Sequence, residues 1–61
     1  MKYNLIIKQY SLKTDELIYT IHFERETLKE VRTIREGFKA QSRNYTYTYL
    51  KFRIVRIKYE K

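Results

Sequence analysis

The hydrophobic residues change their spacing twice along the chain, and this change constrains the fold more than any other feature. They alternate with polar residues in two early runs, recur at every third or fourth position in the middle, and alternate again near the end. Alternation is typical of a strand with one covered face, whereas the longer spacing is typical of an amphipathic helix. The sequence therefore predicts the element order β-β-α-β.

The two early runs predict a β-hairpin. Residues 2–10 and 17–24 alternate, and the polar segment 11–16 between them has the length of a hairpin loop. The apolar residues on one side of the two strands form the predicted core face of the hairpin: Tyr3, Leu5, Ile7, Leu17, Tyr19, Ile21 and Phe23.

The middle of the chain predicts one helix with a defined start. Residues 27–30 read TLKE, a capping box in which Thr27 and Glu30 satisfy each other's backbone amides. The apolar stripe of the helix follows at helical spacing: Leu28, Val31, Ile34 and Phe38. The helix is expected to end around Gln41, before the polar residues QSRN.

The last segment, residues 45–59, predicts a third strand. It reads YTYTYLKFRIVRIKY, and aromatic and β-branched residues favour strands. A strand of this length would extend for about 45 Å, which is more than either hairpin strand can pair with. The excess is expected to overhang, to form a bulge or to pair with another chain.

These elements predict one small α+β domain over residues 1–61. A helix between the second and third strands leads to an antiparallel three-stranded sheet of order 2-1-3 with the helix on one face. Leu50, Phe52 and Ile54 complete the predicted core. The architecture resembles small DNA-binding domains with a three-stranded sheet and one helix, such as integrase arm-site binders. Those domains run β-β-β-α, so the resemblance assigns no residue roles here.

The second face of the sheet is predicted to be open, and it alternates aromatic with basic residues. Its predicted members are Ile6, Lys8, Tyr10, Ile18, His22, Tyr45, Tyr47, Tyr49, Lys51 and Arg53, with Val55, Ile57 and Tyr59 as further candidates. Such a face suits single-stranded nucleic acid, because bases stack on rings while cations meet phosphates. A β-ribbon entering a duplex groove and a dimer interface are alternatives. The tyrosines also suit a strand by propensity alone.

The positive charge is concentrated in the second half of the chain. The net charge is +7, yet residues 1–30 carry five basic and five acidic side chains, and residues 31–61 carry nine basic and two acidic ones. An excess on one side attracts polyanions or an acidic protein surface. The predicted helix adds a band of basic residues beside its apolar stripe, either solvated or continuous with the basic strand: Arg32, Arg35, Lys39 and Arg43.

Several classes of function lack support in the sequence. The chain has no cysteine, one histidine (His22), no glycine-rich phosphate loop and no nucleophile beside a base. We therefore expect no enzyme activity, no metal site and no cofactor. No apolar run is long enough to cross a bilayer, and the first ten residues do not read as a signal peptide, so a cytoplasmic location without membrane contact is expected.

Two functional hypotheses remain. The first is a small nucleic-acid-binding protein, and the second is a regulator or inhibitor, of the kind that phages and plasmids encode, that docks on an acidic patch of a nucleic-acid-handling enzyme. Both use the same candidate binding residues: Arg32, Arg35, Lys39, Arg43, Tyr45, Tyr47, Tyr49, Lys51, Arg53, Arg56 and Lys58. A chain of this size without disulfides is also expected to gain stability as a homodimer.

Overall fold

The computed structural model describes residues 2–57, which form an α+β fold. Strand β1 spans Lys2–Ser11, β2 spans Leu17–Arg25, helix α1 spans Leu28–Ser42 and β3 spans Thr48–Ile57. The three strands form one antiparallel sheet of order β2-β1-β3. The predicted element order and sheet order are therefore confirmed.

Strand β1 lies in the centre, and its pairing sets the two faces of the sheet. Leu5 pairs with Phe23 of β2 and Ile54 of β3. Two residues further on, Ile7 pairs in the same way with Ile21 and Phe52. Because directly paired residues point to the same side of a sheet, these rows form one apolar face, and α1 covers it.

The helix begins where the capping box predicts. The Glu30 amide donates to Thr27 Oγ1 at 3.2 Å, and the Thr27 amide donates to Glu30 Oε1 at 3.2 Å. Two of the amides that a helix start leaves unpaired are therefore satisfied by local side chains. The first helical residue, Leu28, then starts the apolar stripe that packs on the sheet.

The core is small. Among the described residues, Leu5, Ile7 and Val31 are the fully buried hydrophobic side chains. The half-buried residues packed around these three are Tyr3, Ile21, Phe23, Leu28, Ile34, Phe38, Leu50, Phe52 and Ile54. All four residues of the predicted helical stripe therefore take part in the core.

Two residues of the predicted core face are not in the core. Leu17 is 51% exposed and Tyr19 is 48% exposed. The register between β1 and β2 shifts between Gln9 and Tyr10, so Leu17 pairs with Tyr10 of the other face. Tyr19 lies on the covered side by register, but a 15-residue helix is only about 22 Å long and leaves the hairpin end uncovered.

The third strand begins later than predicted. It starts at Thr48, so Tyr45 and Tyr47 lie in the segment between α1 and β3. All ten residues from Thr48 to Ile57 pair with β1, and the predicted overhang or bulge is absent from the described part of β3. Pairing starts at Thr48 because its partner, Ser11, is the last residue of β1. Tyr59, expected on the open face, lies outside the described residues.

Two substitutions in α1 test this packing, because they should change the free energy of unfolding in opposite directions. Val31→Ala removes buried methyl groups and should lower the free energy of unfolding by about 2 kcal/mol. Gly37→Ala should raise it by about 0.5–1 kcal/mol, because an added Cβ meets no atom within 4 Å and alanine favours a helix. Urea unfolding of both variants measures the two changes. A neutral Val31→Ala variant would contradict the placement of the helix.

Candidate functional site

The sheet face that α1 leaves uncovered carries three neighbouring cations on β1 and β3. Lys8 of β1 pairs directly with Lys51 of β3, and the neighbouring row on this face pairs Ile6 with Arg53. Lys8, Lys51 and Arg53 are exposed, and within residues 2–57 none of the three forms an ion pair with a carboxylate. We call these three residues the cation cluster.

The pairing of Lys8 with Lys51 is unfavourable for the isolated fold. Directly opposed residues of an antiparallel pair have Cβ atoms about 4.5–5.5 Å apart, and like charges at that separation are destabilising. The Lys51 ammonium is partly compensated by the Tyr10 ring, whose centroid lies 5.1 Å from Nζ. An anion on this face would relieve the remaining repulsion.

A pair of stacked tyrosines borders the cation cluster on the hairpin side. Tyr10 pairs with Tyr49, and their ring centroids are 5.3 Å apart with an interplanar angle of 15°. The Tyr49 hydroxyl donates a hydrogen bond of 2.8 Å to Asp15 Oδ1 in the hairpin loop. This contact ties the Tyr49 ring to the hairpin loop.

The loop that supplies Asp15 is itself held by local hydrogen bonds. Asp15 has a φ of 62°, a left-handed conformation that aspartate tolerates better than most residues. Its amide donates to the Ser11 carbonyl at 2.8 Å, and the Ser11 amide donates to the Glu16 carbonyl at 2.9 Å. The carboxylate is therefore presented to Tyr49 by a defined turn.

A shallow depression of 230 Å³ joins the cation cluster to the aromatic pair. Its lining residues come from β1 and β3: Ile6, Lys8, Tyr10, Lys51, Phe52 and Arg53. Its lining combines apolar surface, the Tyr10 ring and three cations. A flat or apolar group that carries negative charge would complement this combination.

The opposite end of the same face has balanced charge. Lys2 Nζ lies 3.7 Å from Glu24 Oε1 and 3.9 Å from Glu26 Oε1. Between the two ends, the Asn4 side-chain amide lies 3.4 Å from His22 Nδ1, while Asn4 Oδ1 is buried without a partner among the described residues. The positive potential of this face is therefore concentrated at Lys8, Lys51 and Arg53.

The structure separates the residues that the sequence grouped as one basic surface. Lys51 and Arg53 lie on the open face, whereas the register places Arg56, opposite Tyr3, on the helix side. The four basic residues of the helical band lie on or directly after α1, in the layer across the sheet from the cation cluster: Arg32, Arg35, Lys39 and Arg43. The two basic surfaces therefore do not share a face of the sheet.

Two members of the helical band already have a carboxylate partner. Arg35 Nε and Lys39 Nζ lie 3.3 Å and 3.8 Å from Glu36 Oε2. Lys39 also lies 6.0 Å from the centroid of the Phe52 ring on the covered face. Arg32 and Arg43 are exposed. Glu36 therefore offsets part of the positive charge of the helical band.

The predicted tyrosines also divide. Tyr49 lies on the open face, Tyr47 is 82% exposed in the segment before β3, and Tyr45 is half-buried in that segment. The Tyr47 carbonyl accepts a hydrogen bond of 2.9 Å from the Leu12 amide, which ties this segment to the hairpin. Lys58 lies outside the described residues, and its predicted role is untested.

Lys8 and Tyr10 belong to the site, although the sequence-based set of binding residues omitted them. The alternation of β1 predicts both residues on the open face. The predicted binding set does not include them because it follows the excess of positive charge, which lies in the second half of the chain. The signal that could have identified them is the antiparallel pairing of β1 with β3, which places residues of the first half of the chain beside the basic residues of the second half.

Comparisons with known proteins provide no family for this chain. No protein-family model matches it, and searches of curated proteins and of solved structures find no similar protein. Across residues 2–57 there is no helix of sufficient length and apolar character to cross a membrane. The same residues contain no group of three or more histidine or acidic side chains arranged to bind a metal ion.

The contact between Tyr49 and Asp15 predicts a measurable pH dependence. The hydrogen bond to Asp15 raises the pKa of Tyr49 above its ordinary value of 10.0, and partial burial and the Asp15 charge act in the same direction. A raised folded-state pKa contributes stability below pH 10, and this contribution is lost as the pH rises through the pKa of Tyr49.

Asp15→Asn removes the charge but keeps a residue that tolerates the left-handed turn. The pKa of Tyr49 should then fall towards its ordinary value, as measured by NMR titration of the Tyr49 ring. Glu16→Gln, which removes a charge from the same loop, is the matched control and should leave this pKa unchanged. An unchanged pKa in Asp15→Asn would show that the contact does not form in solution.

Proposed function

We propose that this chain is a small binding protein, not an enzyme, and that it binds single-stranded nucleic acid on the open face of its sheet. The observation that carries the proposal is the direct pairing of Lys8 with Lys51 beside Arg53, without a carboxylate partner among the described residues. A phosphate backbone supplies the missing negative charge, and such contacts dominate the affinity of most nucleic-acid-binding proteins.

The arrangement of cations and rings favours a single strand over a duplex. Lys51 and Arg53 follow each other on one side of β3, about 6.7 Å apart, so a phosphate chain running along this strand meets both. The Tyr10–Tyr49 pair stands beside them. The two rings already stack on each other, so a base would stack on the outer face of the pair. Only an unpaired base is free to take this position, which favours a single strand.

The test is the salt dependence of binding to a labelled single-stranded oligonucleotide of roughly 12 nucleotides, measured by fluorescence anisotropy. The double variant Lys51→Ala with Arg53→Ala should weaken binding. It should also lower the log–log salt slope by about 1.4, since each lost phosphate contact on a single strand accounts for about 0.7.

The matched control is Lys29→Ala with Arg32→Ala, which removes the same charge from the helix. This control should keep most of the slope. If both double variants lost affinity and salt slope equally, binding would depend only on the net charge of the chain, and the proposal would be wrong. A duplex of the same sequence, used as competitor, should bind more weakly than the single strand.

Docking on an acidic protein surface is the second candidate, and one observation favours it. Two large hydrophobic residues beside the aromatic pair, Leu12 and Tyr47, are 55% and 82% exposed. Exposed apolar and aromatic residues next to cations are also typical of protein interfaces. A pull-down with and without nuclease separates the candidates, because a partner that survives nuclease treatment supports this second function.

The homodimer and the cytoplasmic location expected from the sequence remain predictions. Within the described residues, the length of the third strand gives no support to the dimer, because all of Thr48–Ile57 pairs with β1.

A further inference from the structure

The sheet has two outer edges, and they differ in charge. Among the described residues, β2 and β3 each have β1 as their single neighbouring strand. Alternate backbone N–H and C=O groups on the outer side of each therefore lack a strand partner. Such an edge is a template for pairing with another chain unless charge, proline or a covering element protects it.

The β3 edge is protected by charge. Its ten residues include Lys51, Arg53 and Arg56 and no acidic side chain. If two β3 strands paired with each other, six cations would meet along one short ribbon, and like charges opposite each other are destabilising. This edge therefore opposes self-association.

The β2 edge lacks that protection. The first seven residues of β2, LIYTIHF, carry no charged side chain when His22 is neutral, and most are β-branched or aromatic. Leu17, Ile18 and Tyr19 are about half exposed, at 51%, 52% and 48%. A segment of this length, with high strand propensity and low charge, is the type that readily pairs with a copy of itself.

The small core adds a reason for self-pairing. Only three of the described side chains, Leu5, Ile7 and Val31, are fully buried hydrophobic residues. Domains of this size without disulfides or metal sites commonly rely on oligomerisation for stability. Exposed apolar residues at the start of β2 would become partly covered by a second sheet.

We infer that two copies of this chain pair through their β2 edges in antiparallel orientation and form one six-stranded sheet. The occupant of the edge is a second copy because the start of β2 has exposed apolar side chains and no Lys, Arg, Asp or Glu before Glu24, whereas the β3 edge is cationic. Assembly stops at two copies, since both remaining edges are β3 strands protected by charge.

This dimer places the open faces of both copies on the same side of the six-stranded sheet. The two-fold axis of an antiparallel edge pair is perpendicular to the sheet, so both helices lie on one face and both cation clusters on the other. The two β1 strands would be three strand spacings apart, about 14 Å. The inference is independent of nucleic-acid binding, because the assembly is measured in the absence of nucleic acid.

Sedimentation velocity across the micromolar to millimolar range tests the inference. Wild type should show twice the mass of the chain, and Ile18→Lys with Tyr19→Lys should show the mass of one chain. The matched control is Leu12→Lys with Tyr47→Lys, which replaces two exposed hydrophobic residues outside β2 and adds the same charge. This control should remain a dimer.

A monomeric wild type, or equal dissociation of both double variants, would overturn the inference. Residue-resolved hydrogen exchange on the wild type supplies a second test that does not depend on a variant folding. Outward-facing amides of β2 should exchange more slowly as the protein concentration rises, while outward amides of β3 should not change. Slowing confined to β3, or to neither strand, would also overturn it.

Discussion

Val31 packs on Leu5 and Ile7, and this contact determines which side of the sheet is closed to solvent. Residues 2–57 form one helix, so covering one face leaves the other without a layer from this part of the chain. Since side chains alternate along a strand, the burial of Leu5 and Ile7 places Lys8 and Tyr10 on the uncovered face. The antiparallel register then brings Lys51 and Tyr49 opposite them. The candidate site is thus a consequence of the same contact that forms the core.

The cation cluster is a feature that folding alone does not explain. A carboxylate in place of either lysine would turn an unfavourable cross-strand pair into a favourable one. The same face shows this solution at its other end, where Lys2 lies between Glu24 and Glu26. The absence of such a partner for Lys8 and Lys51 within residues 2–57 is therefore the observation on which the proposed anion site mainly rests.

The sequence predicted the topology well because each element had a local signal. The capping box at Thr27 fixed the start of α1, and the change from two-residue to helical spacing separated the helix from the strands. Leu17 was predicted on the wrong face because the register shift depends on tertiary geometry. Tyr19 lies on the predicted face, and only its burial was predicted wrongly, because the reach of the helix also depends on tertiary geometry. Tyr45 and Tyr47 alternate like a strand, yet the strand begins only where β1 offers a partner.

The candidate site was predicted only in part, because its contacts also depend on tertiary geometry. Alternation assigned Lys51, Arg53 and Tyr49 to one face, but the contact of Lys51 with Tyr10 depends on the pairing of segments about forty residues apart. The basic helix looked continuous with the basic strand because the two are adjacent in sequence. In the folded chain the sheet itself lies between them.

Lys8→Glu tests the central claim most directly, because two quantities should change in opposite directions. The free energy of unfolding, measured in urea at low salt, should rise by about 0.2–1 kcal/mol as the Lys8–Lys51 repulsion becomes an attraction. The affinity for a single-stranded oligonucleotide should fall in the same variant. A less stable Lys8→Glu protein, or one that binds the oligonucleotide as tightly as wild type, would contradict the account.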